Sequence, residues 1–351
     1  MNTSISLDSA IISKLYPFAE VRSISAIRIG ILTIQEKWQK LLESKIPIPE
    51  SNGNTNIADF FPTNLIPSSA FVASFINKLI SPDHFLEETS CRLLEYPWQI
   101  VEFNDWALRE DYNLITKGRY SQPLPETVNA NKSTQIFLEE GAVLNHCYLN
   151  ASTGPIYIGK NSEIMEGAII RGPFALCEGA VVKMGARIYG ATTVGPYSVV
   201  GGEIKNSVIF GYSNKAHEGY LGDSVIGEWC NIGAGTSNSN IKNSASEVKL
   251  WHQPAREFIN VGLKCGLLMG DYSRCAINTS FNTATVAGIG ANIFGDGLTP
   301  KYIPDFSWGS SGKEKYIFEK AMKDIRNWKK LKNKELTDQE IQTLKTIFEQ
   351  Y

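Results

Sequence analysis

The chain predicts a mainly β protein: a parallel β-helix with a small α/β domain before it and helices after it. Three observations carry this. Ile158, Ile164, Ile170, Leu176, Val182, Ile188, Val194 and Val200 place an aliphatic residue on every sixth position without a miss. Four places after those from Ile158 to Val194, a second register is mostly small, with Ser162, Ala168, Ala180, Ala186, Thr192 and Ser198, and Phe174 as its exception. After Gly309-Ser310-Ser311-Gly312 the apolar spacing becomes helical. A period of six fits neither a helix nor an amphipathic strand. Coils stacked about 4.8 Å apart present the same inward positions on every turn, and small residues suit their corners.

Residues 1–125 lack the repeat and form the expected α/β domain. Within it, residues 27–32 (IRIGIL) read as a buried strand, followed by a helix through Trp38 and Leu41. Residues 51–56 (SNGNTN) read as a loop, and residues 69–80 and 99–111 as helices, the second leading into the rod. The β-helix is expected over residues 126–310. Val208, Asn214, Tyr220, Ile226 and Ile232 keep the step of six after a break at 201–207. Met269, Cys275, Phe281, Ala287 and Ile293 keep it after a second break at 241–262. Such breaks mark loops expelled from the coil. In residues 311–351, Phe318, Met322, Ile325 and Trp328 share one helix face and Ile341, Leu344 and Phe348 another. Thr337 with Glu340 reads as a capping box for the last helix. The end of a β-helix exposes strand edges, and these helices would cover it.

Composition narrows the function classes. With 34 basic and 36 acidic side chains the net charge is -2, which argues against a nucleic-acid or membrane-surface partner. No apolar run approaches the roughly 18 residues that span a bilayer. The first residues lack the basic and apolar regions of a signal peptide. The six cysteines form no CxxC pair and read as reduced packing residues of a cytoplasmic protein. His84, His146, His217 and His252 are widely spaced, and no metal site is expected from them.

The richest polar stretch is residues 205–240, KNSVIFGYSNKAHEGYLGDSVIGEWCNIGAGTSNSN. An imidazole beside asparagines and glycine-exposed amides has the parts for acyl transfer, which needs a base for an amine and donors for an oxyanion. On residues alone, His217 reads equally as a solvent-facing loop residue, and asparagine also lines β-helix turns.

KAHEGYLGDSVIGEWCNIGAGT resembles the acetyltransferase half of the bifunctional bacterial enzymes that make UDP-N-acetylglucosamine. The resemblance implies a left-handed β-helix, assembly as a homotrimer, and acetyl transfer from acetyl-CoA to glucosamine 1-phosphate. It implies His217 as general base and Tyr220 as a substrate contact. Arg187 and Lys205 would hold the sugar phosphate with Glu203 beside them, and Asn231, Ala234 and Asn240 would belong to the active-site coil. The chain departs from that family at Ile241, where the family has tyrosine, and in the extra segment 242–262. That segment leaves the coenzyme A contacts unplaced, with Lys249, Arg256 and Lys264 as basic candidates.

A longer resemblance runs through LYPFAEVRSISAIRIGILTIQEKW, LITKGRYSQPL, IYIGKNSEIMEGAIIRGPFALCEGAVVKMGARIYG and IPDFSWG. These segments resemble bacterial sugar nucleotidyltransferases, often labelled glucose-1-phosphate thymidylyltransferase. That likeness implies a sugar phosphate or sugar nucleotide as partner. It also implies Mg2+ wherever nucleotidyl transfer operates. The residues themselves qualify the label. No Gly-rich loop precedes Leu15-Tyr16-Pro17 to cradle a triphosphate. Arg22 and Arg28 remain as phosphate ligands, with Asp8 or Asp59 as acidic partners. About 125 residues is cramped for a nucleotide-binding sheet built from βαβ units of 30 or more. A reduced N-terminal domain is expected. Acyl transfer at the β-helix is the leading reading, nucleotidyl transfer the alternative, and non-catalytic sugar-nucleotide binding a third.

Overall fold

The computed structural model describes residues 10–45, 61–76 and 90–350. The expected loop at 51–56, the end of the 69–80 helix, His84, Asp8 and Asp59 lie outside these residues.

Three stacks of short parallel strands form the three faces of a β-helix, with nine, eight and six strands. The first face runs from Ile136–Leu138 to Tyr302–Ile303, the second from Val143–Leu144 to Asn292–Ile293, and the third from Asn129–Asn131 to Tyr220–Gly222. The aliphatic repeat fills the interior: Ile158, Ile164, Ile170, Leu176, Val182, Ile188, Val194 and Val200 are all buried in one cluster. Each such side chain contributes about 1.5–3 kcal/mol on leaving water.

Beyond Val200 the inward register shifts from the one the step of six predicts. Asn214 and Tyr220 face outward, and the inward positions are Ile204, Ile209, Lys215, Leu221 and Ile226. The cause is local. Strand Glu203–Lys205 follows Val199–Val200 after a shortened corner at Gly201 and Gly202, so the count falls behind.

The third face ends in a splayed coil. Strand Ser237–Asn238 does not pair with Tyr220–Gly222 but with Ser280–Phe281. Side chains bridge the gap: the Tyr220 N–H donates to Ser237 Oγ at 3.0 Å and the Gly222 N–H to Asn238 Oδ1 at 2.9 Å. The segment expelled here forms an antiparallel hairpin, Lys249–His252 with Glu257–Asn260.

The N-terminal unit covers the first face. Leu15, Phe18, Ile27 and Ile29 pack with Val208, Phe210, Val225, Leu268 and Val286. Its described residues are helices, including Ile34–Lys45, Ser69–Ile76 and Asn104–Thr116, and one two-stranded sheet, Leu65–Ile66 with Arg92–Leu93. Residues 27–32 are buried as expected but do not form a strand. A tight turn through Gly30, at φ +78°, closes an isolated bridge between Arg28 and Thr33. The turn is held by Asp111, which accepts the N–H groups of Ile31 at 2.8 Å and Leu32 at 3.0 Å, and pairs with the buried Lys37. A Cβ on Gly30 would lie 2.8 Å from the Ala107 backbone, which explains the glycine.

The C-terminal helices, Phe318–Lys330 and Asp338–Gln350, pack Met322, Ile325, Leu344 and Ile347 on Trp229, Tyr272, Ile289 and Phe306. The capping box forms: the Thr337 N–H donates to Glu340 Oε2 at 2.8 Å and the Glu340 N–H to Thr337 Oγ1 at 3.2 Å. All six cysteines are buried thiols. No helix among the described residues is long and apolar enough to cross a membrane.

Candidate functional site

Parallel register aligns side chains from successive coils, and on the third face it aligns Arg187, Glu203 and Tyr220 in one outward ladder. Tyr189 and Lys205 stand in the neighbouring ladder. Arg187 Nη2 donates to Glu218 Oε2 at 3.0 Å, and both side chains are exposed. Exposed pairs contribute about 0–1 kcal/mol, so Glu218 holds this guanidinium only weakly. The Lys205 ammonium lies 6.0 Å from the centre of the Tyr189 ring, and the Tyr189 hydroxyl donates to Glu203 Oε1 at 2.6 Å. Two cations thus flank a carboxylate already engaged by tyrosine.

At the splayed end of the face a second network converges. Asn240 Nδ2 donates to Tyr220 Oη at 3.1 Å and to Asp223 Oδ2. Asp223 also accepts Asn206 Nδ2 at 2.6 Å and is nearly buried. Burial, then the neighbouring Asp223 charge, pushes the Tyr220 phenol up to about 12, so its hydroxyl stays neutral. His217 sits exposed at the corner between strands Asn214–Lys215 and Tyr220–Gly222, beside Glu218. Ala234 occupies the same corner one coil later. Its carbonyl accepts the Asn278 N–H at 2.7 Å, while its own N–H has no partner among the described residues.

The structure therefore brings Arg187, Glu203, Lys205, His217, Tyr220, Ala234 and Asn240 to one edge and the adjoining third face. It does not bring Asn231 there. Asn231 stands on the second face, in the ladder Asn214, Asn231, Arg274. Arg22 and Arg28 lie in the N-terminal unit with internal partners. Arg22 is ion-paired with Asp271, is 3.5 Å from Glu228, and covers the Phe210 ring at 5.0 Å. Arg28 donates to the Ile31 carbonyl and is 3.5 Å from Glu36. Among the described residues no three His, Cys, Asp or Glu side chains gather to hold a metal ion.

Sequence reasoning missed Tyr189, Asn206, Lys215, Glu218 and Asp223. Glu218 adjoins His217 and was readable as a charge beside a candidate base. Asn206 and Asp223 were hidden because they join the site only through stacking of coils 17 residues apart.

Residues 5–50 match the family described as sugar nucleotidyl transferase. The chain is similar to bifunctional sugar nucleotidyltransferase/acetyltransferases. It is 29% identical over 192 residues to the bifunctional protein GlmU of Methanocaldococcus jannaschii, covering 55% of this chain and 40% of that protein. It is 32% identical over 200 residues to a bifunctional sugar-1-phosphate nucleotidylyltransferase/acetyltransferase of Sulfurisphaera tokodaii, covering 56% and 43%. The chain thus spans under half the length of these curated relatives. Among solved structures, the UDP-N-acetylglucosamine acyltransferase of Francisella novicida aligns over 64% of this chain and 86% of its own, at 13% identity and a TM-score of 0.30.

Proposed function

We propose that the third face and its corner form an acyl-transfer site acting on an amino-sugar 1-phosphate, with acetyl-CoA as donor. The observation that carries the reading is the presence, on the one face that follows the His217 corner, of two cations, Arg187 and Lys205, and of the Asn240 carboxamide ordered by Tyr220 and Asp223. In this reading Arg187 and Lys205 take the phosphate and Glu203 and Tyr220 the sugar hydroxyls. Asn240 Oδ1, left free by the bonds of its nitrogen, accepts from the amine. His217 removes the amine proton as nitrogen attacks the thioester carbonyl. The N–C bond forms, the C–S bond breaks, and the thiolate leaves to be protonated. The unpartnered Ala234 N–H suits the oxyanion. The name of the Sulfurisphaera tokodaii relative supports both the acetyl and the sugar-phosphate halves of this reading.

Asn231, on the second face, fits the site only across a boundary with another copy. Tyr148 and Ile169, about half exposed on the third face at 52% and 53%, suit such a contact, and we propose a homotrimer. The buried cysteine thiols support a reducing, cytoplasmic setting.

The test is coenzyme A thiol release from acetyl-CoA over a panel of amino-sugar phosphates, with His217→Ala alongside. Turnover that His217→Ala abolishes while its melting temperature holds supports the reading. Full activity in His217→Ala refutes the mechanism. The match over residues 5–50 favours a second reading, sugar-1-phosphate nucleotidyl transfer by the N-terminal unit. Arg22 and Arg28 are its phosphate ligands in that reading, yet both hold internal acceptors. Among the described residues no three His, Cys, Asp or Glu side chains gather to hold magnesium. Pyrophosphate release from dTTP or UTP with a sugar phosphate tests it, and none with any nucleoside triphosphate rejects it.

A further inference from the structure

Lys215 occupies a position that the neighbouring coils give to apolar side chains. The inward ladder of the second face runs Leu144, Ile164, Val182, Val200, Lys215, and continues through Ile232, Cys275 and Ile293. Lys215 is 2% exposed, inside the rod. It makes no ion pair among the described residues, and its ammonium donates to one acceptor, the carbonyl of His217. The charged and titratable groups facing it are Arg187 on the preceding coil, Glu218 beyond the corner, and the Cys275 thiol below it. Burial, with Arg187 acting in the same direction, outweighs Glu218 and Cys275 and lowers its pKa to about 8.

An ammonium in this place costs stability, and an apolar side chain of the same length would remove that cost. What it gains is control of one peptide. The neighbouring corner carbonyls have backbone donors: Glu218 O accepts the Gly235 N–H at 2.9 Å and Gly219 O the Glu203 N–H at 3.2 Å. The His217 carbonyl has Lys215 instead. At this corner the side chains of His217 and Glu218 are exposed, and Gly219 sits at φ +123°.

We propose that Lys215 is a positioning residue, holding the His217 peptide from inside the β-helix so that the imidazole is presented at the site. The proposal rests on the acyl-transfer reading for its catalytic consequence, and its structural part stands apart from it.

The experiment uses the full chain with Lys215→Met, and Lys215→Leu as a second variant. Three quantities are measured: melting temperature, amide hydrogen exchange at Gly235 and Glu203, and acetyl transfer. Melting at or above the parent is expected, with exchange at both amides faster by roughly tenfold as the corner loosens. The kcat should fall roughly tenfold or more with a much smaller change in KM, since misplacing a reacting group costs rate rather than binding. Unchanged exchange in a folded variant overturns the proposal, as does failure of both variants to fold, because the ammonium would then be needed for the core. Full turnover despite faster exchange also overturns it. Faster exchange with no turnover in any form, parent included, rejects acyl transfer while retaining Lys215 as the anchor of the corner.

Discussion

Asp223 and Asn240 are joined by a hydrogen bond from the Asn240 Nδ2 to the Asp223 Oδ2, across two coils of the β-helix. The same nitrogen reaches Tyr220 Oη at 3.1 Å. A carboxylate only accepts hydrogen bonds, so Asp223 fixes which end of the Asn240 carboxamide is nitrogen. Both donors are thereby consumed and Oδ1 is left as an acceptor. The pair turns an amide of either orientation into one with a defined role.

Asp223→Asn should undo that definition with little change in shape. An amide opposite an amide offers donor and acceptor alike, and Asn240 becomes free to flip. Turnover with an amino-sugar phosphate should fall by about 10–100-fold, and stability by roughly 1–3 kcal/mol as Asn206 also loses its charged acceptor. Steady-state kinetics with thermal melting decides this, and parental kcat/KM would show that the orientation of Asn240 is irrelevant.

Lys215 gives the protein a pH dependence of stability with a definite sign. Its folded pKa, about 8, lies below the ordinary lysine range. Between the two values the unfolded chain binds more protons, so stability should rise as pH increases from about 8 toward 10.5. Falling pH reverses the gain, and below about 8 the buried charge is carried in full. Urea unfolding from pH 7.5 to 10, comparing the parent with Lys215→Met, reads the difference. Parallel curves for the two proteins would mean that Lys215 is solvated in the folded state.

The rod was legible because its signal is repetitive: eight aliphatic positions in register need no tertiary information. The capping box of Thr337 and Glu340 was legible because both partners lie within one turn. Residues 27–32 misled because burial and β-branching there serve a turn, not a strand. What holds that turn is Asp111, about 80 residues away, which no local pattern reveals. The register error beyond Val200 hid Lys215 in the same way, since a count of six assigns the inward place to Asn214. Site residues on neighbouring coils were legible only through resemblance, because stacking rather than spacing brings Arg187, Glu203 and Tyr220 together.

The Lys37–Asp111 pair should behave as a buried ion pair that is costly to break and cheap to replace. Both side chains are 2% exposed, and Asp111 also accepts two backbone N–H groups of the 27–32 turn. Lys37→Met strands a carboxylate and should destabilise by about 3–5 kcal/mol. Adding Asp111→Leu to it should recover part of this loss, though the N–H groups of Ile31 and Leu32 then lack their acceptor. A double-mutant cycle by chemical unfolding measures the coupling, and strict additivity would show that the pair does not interact.

Glu340 ties the last helix to the rod. Its carboxylate accepts Lys329 Nζ at 2.6 and 2.8 Å, the Thr337 N–H at 2.8 Å and the Tyr272 hydroxyl at 3.0 Å. Burial by itself would raise the pKa of this group, but the bonds from Lys329, Thr337 and Tyr272 outweigh it and hold the pKa below the usual glutamate range. A depressed carboxylate stabilises the fold fully above its unfolded pKa, and that contribution is lost as pH falls through the folded value. Glu340→Gln should cost about 1.5–3 kcal/mol at neutral pH, the range for hydrogen bonds to a charged group. Below the folded pKa the parent and variant should converge. Thermal melting of both proteins from pH 3 to 7 tests this. A gap that persists undiminished at pH 3 would mean that the shape of the side chain, rather than its charge, docks the helix.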